Sequence, residues 1–438
     1  MSRIGARLRA AAGGEVGVLD GAYASGARLD AGLPGRRVRL TGAERVLQAL
    51  RGLWGQPAEV VEWDCYEHPA GVALWVERRQ ADGAAQRQRH YLRLADGLVT
   101  GHWIYAAPPR STAPPVAGPS RAVFAAVGEV ADHAPLTSRG WSGARLERAT
   151  LADGRRLIAK RLDPSEDWVA RWTGDRGREA ILARDGVLAD LEGIDPAVVT
   201  AVPDGDAWWV VMRDVTDDLL DDHSPITREQ HRRILAALDD MWTAFAGTRL
   251  ECLATAARRL SVLGPTAAEC ERAGHDLLPN QLEAAWEAYV EAVPADVGEP
   301  VVALAAAPEP LAAALEPHGS TLIHGDVRDE QLGFAADGRV VLLDWGLATR
   351  GHPALDLAWY LMHCGWRIQA THDELVHDFR ALRDDPAALD LGLLGGLVMY
   401  GWILGHSAVI HPDPAEQAWA RGELGWWVPR ARAGLERL

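Results

Sequence analysis

The sequence predicts an α+β protein: a cone-shaped domain of curved antiparallel sheet plus helices, then a two-lobed unit with a small sheet-rich lobe and a large helical one. Three observations carry this. Ala106 to Ser120, AAPPRSTAPPVAGPS, is a Pro-rich seam without apolar period. Four alternating strand segments joined by turn residues precede it. After it, a second strand-rich run gives way at about Thr227 to a mostly helical pattern. The expected parts are therefore 1–107, a linker 108–120, a small lobe 121–215 and a large lobe 216–438.

The 438 residues are 48% hydrophobic and 24% charged, which excludes long disorder and exceeds one ordinary domain. Residues 1–110 hold 15 Arg against 11 Asp plus Glu, while the whole chain is −16, so the charge changes sign across the seam. An acidic surface excludes nucleic acid and anionic membrane as natural partners. The N-terminus shows no h-region with a cleavage site, and the four cysteines are scattered, which places the chain in the cytoplasm with reduced thiols. Leu391 to Ile410 lacks Asp, Glu, Lys and Arg, but its five glycines suit a buried core helix better than a membrane span.

In the first part, Glu44 to Leu53 reads as an amphipathic helix. Val60–Tyr66, Val72–Arg79, Arg87–Leu94 and Leu98–Tyr105 read as strands, with Pro69-Ala70-Gly71, Asp82-Gly83 and Asp96-Gly97 as turns. The phrases GAYASGARLD and TGAERVLQAL, with the closing DGLVTGHWIY, resemble the nuclear transport factor 2-like (SnoaL-like) fold over most of 1–108. That resemblance implies a conical pocket or a dimer surface. Trp63, Trp75, His90, His102 and Trp103 either line such a pocket or divide into core indoles and solvated histidines.

In the second part, Ala122 to Val130 reads as a helix. Arg145–Thr150 and Arg155–Arg161 read as a hairpin over Ala152-Asp153-Gly154, and Arg176–Leu188 as a helix. Strands follow near Val198–Val202 and Ala207–Met212. The chain has one lysine, Lys160, against 44 arginines, and one asparagine, Asn280. Both use A-rich codons, so a GC-biased genome removes them where function allows. A surviving lysine marks a place that needs a compact ammonium, the alternative being an accidental surface residue. Lys160 ends a strand and Glu179, nineteen residues on, lies in a helix. A strand lysine held by a helix glutamate suits nucleotide phosphates. The turn containing Ser142 and Gly143 can close over phosphates with its N–H groups.

Downstream, Thr321–Gln331 leaves an apolar strand and enters a charged loop. A hairpin over Ala336-Asp337-Gly338 then delivers Asp344, so Asp326 and Asp344 can face one cavity. One carboxylate can deprotonate an alcohol while the other binds Mg²⁺.

The phrases HGDVRDEQ, LLDWG and HPALDLAWYL, with GWSGAR, Lys160, Glu179 and WWVVMRDV, resemble the aminoglycoside phosphotransferase family of the protein-kinase-like superfamily, over about 120–410. The resemblance implies Asp326 as the catalytic aspartate, Asp344 as the main magnesium ligand, and Lys160 on the phosphates of ATP or GTP. It places the base near Arg213 to Val215. Asp356 is implied as a structural brace for the catalytic loop, with His324 supporting it. The family pattern ends in Asn where this chain has Gln331, a longer amide. Either drift against Asn explains it, or the second metal position is altered. Arg328 either neutralises the transferred γ-phosphate or pairs with Asp329 or a surface acid.

The expected activity is Mg²⁺-dependent transfer of a γ-phosphate to a hydroxyl of an aminoglycoside-like or other small metabolite. The −20 charge beyond residue 110 favours a cationic acceptor. The rival is a catalytically weak, nucleotide-binding pseudokinase, and a third reading makes the first domain an isomerase or hydratase. That domain is otherwise expected to bind acceptor, mediate a homodimer or act as a sensor.

Overall fold

The computed structural model describes residues 3–107, 119–136, 144–221, 224–274 and 276–438. Residues 108–118 of the expected linker 108–120 and the Ser142–Gly143 turn lie outside the described residues, while Pro119 and Ser120 begin a helix rather than ending the linker. Contacts divide the chain into two compact units. One combines the N-terminal sheet with residues 263–302 and 401–428; the other holds residues 119–262, 303–400 and 429–438. The stretch expected as one large lobe, 216–438, thus contributes two helical segments to the N-terminal unit.

The N-terminal unit is built on six strands: β1 (Tyr23–Leu33), β2 (Arg36–Thr41), β3 (Ala58–His68), β4 (Gly71–Gln80), β5 (Ala85–Ala95) and β6 (Leu98–Ala106). Their order is β2-β1-β6-β5-β4-β3. All pairs are antiparallel except β1 with β6. The four expected strands are β3–β6. The helix Ala43–Trp54 buries Val46, Leu47, Leu50 and Trp54 on one stripe. That stripe packs on the inward residues Val72, Leu74, Val76, Leu92 and Ile104.

Because side chains alternate along a strand, the five aromatic and histidine candidates cannot share one pocket. Trp63 packs with the inner core, whereas Trp75 and Trp103 pack on the other face, with Leu277, Ala284 and Ala288. The lone asparagine secures that side: Asn280 donates from Nδ2 to the Ala106 carbonyl at 3.0 Å.

The expected solvated histidines are instead buried, His90 at 0% and His102 at 1% exposure. They form a chain of hydrogen bonds. Tyr23 Oη lies 2.8 Å from His102 Nδ1, His102 Nε2 lies 2.9 Å from His90 Nδ1, and His90 Nε2 lies 3.0 Å from Gln88 Oε1. Trp54 Nε1–H donates to the same Gln88 oxygen at 2.8 Å. Since Gln88 Oε1 can only accept, the proton order follows: Tyr23 donates to His102, His102 to His90, and His90 to Gln88. The chain is complete with both imidazoles neutral.

The second unit carries a five-stranded antiparallel sheet in the order Val198–Asp204, Ala207–Arg213, Arg156–Leu162, Arg145–Leu151, Val130–Leu136. The expected helix 122–130 is shorter, Pro119–Ala125, and the last strand was missed. Val130–Leu136 has no buried residue, interrupts its apolar residues with Asp132 and His133, and contains Pro135, which an edge strand tolerates. The expected helix 176–188 runs only Arg178–Arg184, flanked by Gly177 and Gly186 at positive φ. The helix Arg228–Ala244 starts at Thr227 with a capping box to Gln230. The apolar stretch lies in the helix Pro386–Val409, long and apolar enough to cross a membrane but 78% buried in its most apolar window. A Cβ at Gly392 would come within 2.3 Å of the Ala354 methyl, so glycine there permits helix contact.

Burial depresses His90 well below its ordinary value and takes His102 down to about 3. The unfolded chain therefore binds protons that the folded one refuses. Stability is expected to fall as pH drops from about 6.5 towards 4, by up to ~1.4 kcal/mol per pH unit for each such histidine. In urea titrations, His102→Gln should flatten this slope by about one histidine; an unchanged slope would assign the acid sensitivity elsewhere.

Candidate active site

Lys160 sits on the central strand Arg156–Leu162, with Leu146 and Val210 as cross-strand neighbours. Its Nζ lies 3.1 Å from Glu179 Oε2 and 2.6 Å from Asp344 Oδ1. Glu179 is wholly buried and Lys160 8% exposed, while the Asp344 side chain keeps 39% of its surface open. Burial works against the ammonium, but Asp344 and Glu179 outweigh it and raise the lysine. Burial likewise opposes the Asp344 charge, yet Lys160 holds that carboxyl down to about 2. For Glu179 burial wins, and its carboxyl is raised despite the lysine. The helix bearing Glu179 is anchored by its neighbour Arg178, which donates to the carbonyls of Gly346 and Cys252.

The loop holding Asp326 follows the strand Thr321–Ile323. Asp356, at the start of the helix Pro353–Cys364, accepts the His324 N–H at 2.8 Å and the Gly325 N–H at 2.7 Å. Trp242 Nε1 adds a third donor at 3.2 Å. Burial raises this carboxyl to about 6 against those donors. Gly325 has φ +79°, and a Cβ there would meet the Leu347 carbonyl oxygen at 2.2 Å, so glycine is required. His324 is neutral, pulled to about 4 by burial. It accepts the Asp326 N–H on Nδ1 and donates from Nε2 to the Leu343 carbonyl. This imidazole joins the aspartate loop to the residue just before Asp344. The hairpin between them forms as expected, with Leu332 opposite Leu342.

Asp326 Oδ1 accepts Trp359 Nε1–H at 3.0 Å and its Oδ2 accepts Gln331 Nε2–H at 2.8 Å. Arg328 Nε lies 3.5 Å from Oδ2 and its Nη1 3.4 Å from Glu330. Asp329 is held by Arg367, at 2.5 Å. Arg259, 1% exposed, donates from Nε to the Gly325 carbonyl, and burial lowers its guanidinium to about 10.

A cleft of about 450 Å³ gathers these groups. Lys160, Glu179, Asp344, Gln331 and Arg328 line one part, and Met212, Arg213 and Val215 another. Asp326 adjoins it through Gln331 and Arg328. The Arg213 side chain turns away to Asp195, so its place on the cleft is that of a backbone segment. The expected residues Lys160, Glu179, Arg213, Val215, Arg328, Gln331 and Asp344 thus line a single cleft, while Asp326 does not line it and is hydrogen-bonded to Gln331. Sequence reasoning did not single out Arg259, one arginine among 44, or assign Trp359 its bond to Asp326. The position of Trp359, three residues after Asp356 on one helix, was the available signal.

A buried lysine–glutamate pair on a small sheet, joined to two aspartate-bearing loops across one cleft, suits phosphoryl transfer from a nucleotide. The chain belongs to the phosphotransferase enzyme family, whose pattern residues 134–391 match. No functionally curated protein matches it. Among solved structures, it is similar to an aminoglycoside phosphotransferase from Alicyclobacillus acidocaldarius, at 18% identity and TM-score 0.40, over 75% of this chain and 97% of that one. The choline kinase LicA from Streptococcus pneumoniae matches at 13% identity and TM-score 0.40, over 73% and 96%. An aminoglycoside phosphotransferase from Streptomyces rimosus, in complex with ADP and streptomycin, matches at 15% and 0.37, over 65% and 99%.

Removing the ammonium should strand a buried carboxylate. Lys160→Met is expected to cost about 3 kcal/mol in urea unfolding. The loss should grow from pH 6 to pH 8, because an unpaired Glu179 binds a proton in the folded state that the unfolded chain releases. A loss independent of pH would remove Glu179 from the account.

Proposed function

We propose that this phosphotransferase moves the γ-phosphoryl group of ATP or GTP to a hydroxyl of a small molecule, with Asp326 as base. One observation carries the reading: Lys160, Asp344, Gln331 and Arg328 line one cleft, and Asp326 is hydrogen-bonded to one of them. In this reading Lys160 holds the α/β-phosphates and Glu179 aims it. Met212 to Val215 receive the base. Asp326 orients the acceptor hydroxyl and takes its proton. The acceptor oxygen bonds to the γ-phosphorus as the bond to the bridging oxygen breaks, and the nucleoside diphosphate leaves with that electron pair. Arg328 faces the charge on the transferred group, and positioning supplies most of the rate.

Gln331 bears on the metal. Only the NH₂ end of an amide can face a carboxylate, so its bond to Asp326 leaves Oε1 over. That oxygen is buried and has no hydrogen-bond partner among the described residues. An orphaned amide oxygen on a residue lining the same cleft as Asp344 fits a hard cation. Gln331 and Asp344 would hold Mg²⁺, which would supply positive charge against the phosphates. No cluster of three or more His, Cys, Asp or Glu among the described residues is arranged for a metal, which accords with a site completed by phosphates. The free Oε1 of Gln331 is the observation that favours a working metal site over a pseudokinase.

The acidic second part still favours a cationic acceptor. Arg328 and Arg259 flank Asp326, however, so positive charge on the acceptor must sit away from the reacting hydroxyl. For residues 1–107 the reading remains a cone-shaped nuclear transport factor 2-like domain, serving as acceptor-binding, dimerising or sensing module.

Asp326→Asn should lower phosphorylated product by about 10³-fold across a panel of alcohols, while nucleotide still binds. Nucleotide binding with no Asp326-dependent turnover on any alcohol would replace the enzyme reading with a pseudokinase. Gln331→Ala should raise the Mg²⁺ concentration for half-maximal rate by about tenfold; an unchanged Mg²⁺ requirement would remove Gln331 from the metal.

A further inference from the structure

Arg259 lies on the short helix Ala256–Ser261, away from every motif singled out in the sequence. Its burial is costly, because no carboxylate among the described residues lies within ion-pair distance and Nη1 and Nη2 are buried without hydrogen-bond partners. A fold that needed only to fill this space would use an apolar side chain. Two contacts give the guanidinium a purpose. Nε donates to the carbonyl of Gly325, the peptide just before Asp326. The guanidinium carbon lies 4.0 Å from the centre of the Trp359 ring. That ring donates its Nε1–H to Asp326 Oδ1. On its other contacts Trp359 meets His363 at 4.6 Å and Tyr400 at 5.3 Å between ring centres.

We propose that Arg259 is a positioning residue for phosphoryl transfer, acting on Asp326 by two routes at once: through the Gly325 peptide and through the face of Trp359. The inference rests on the reading of Asp326 as the base. The peptide that joins Gly325 to Asp326 is held at its carbonyl by Arg259 and at its N–H by His324 Nδ1, so it cannot rotate without losing a buried bond, and Asp356 holds the N–H of the peptide before it. The stacked cation keeps the indole plane from tilting, which fixes the direction of the hydrogen bond to Oδ1. A planar fork can donate at its edge and stack with its face; an ammonium cannot do both.

The test uses the full chain with Arg259→Met, Arg259→Lys and Trp359→Phe. It reads kcat, KM for ATP, and the ¹H–¹⁵N resonance of the Trp359 indole, identified by its absence from Trp359→Phe. Arg259→Met should lower kcat by about 30-fold with KM for ATP within about twofold, and should shift the indole resonance. Arg259→Lys should recover only part of the loss. The double variant Arg259→Met/Trp359→Phe should lose no more than about threefold beyond the worse single variant. An unchanged kcat, a raised KM with kcat intact, or multiplicative losses would each overturn the proposal. If Arg259→Met does not fold, Arg259→Lys decides by the same three readings. Should the wild type transfer phosphate to no alcohol, the functional reading fails by itself. The indole resonance then still judges the clamp: a shift in Arg259→Lys supports it, and an unmoved resonance overturns it.

Discussion

One ammonium group holds the phosphotransferase unit to its chemistry. Lys160 is inside the protein, and a lone cation there would be expelled or neutralised. Two carboxylates keep it, one closed to solvent at Glu179 and one half open at Asp344. The closed one comes from a helix and the open one from a loop beyond a hairpin, so satisfying a single charge brings three separate segments to one point. The other bonds of the site follow from that demand. Arg178 fastens the helix to the Asp344 turn through Gly346, and His324 fastens the aspartate loop to Leu343.

Some buried polar groups are satisfied in the same way. Asp356 is placed among donors, three of which end on its two oxygens. The Tyr23–His102–His90–Gln88 chain lies inside the N-terminal unit and is complete with neutral rings. Arg259 keeps two buried nitrogens without partners among the described residues, as Gln331 on the cleft keeps its Oε1.

The site was largely legible. Its residues sit in short runs, and the chemistry of each run is local: a charged loop after an apolar strand, a hairpin turn, a lysine that composition should have erased. The strands of the cone were legible for the same reason, since hairpin turns and alternation are written in neighbouring residues. Where local pattern is weak, reading stopped. Val130–Leu136 lies at a sheet edge, none of its residues is fully buried, and its sequence carries no clear alternation. The helix at Glu179 ended early because its flanking glycines adopt positive φ.

Sequence alone determined the two-part α+β organisation, the hairpin between Asp326 and Asp344, and the singularity of Lys160, because each depends on period, turn chemistry or composition within a few tens of residues. Only the tertiary structure decided which partners meet at long range. It gave His90 and His102 an interior instead of solvent, grouped 263–302 and 401–428 with the N-terminal sheet, and set Arg259 over Trp359. Such pairings are bought with burial, and burial is a property of the packed chain that no single segment carries.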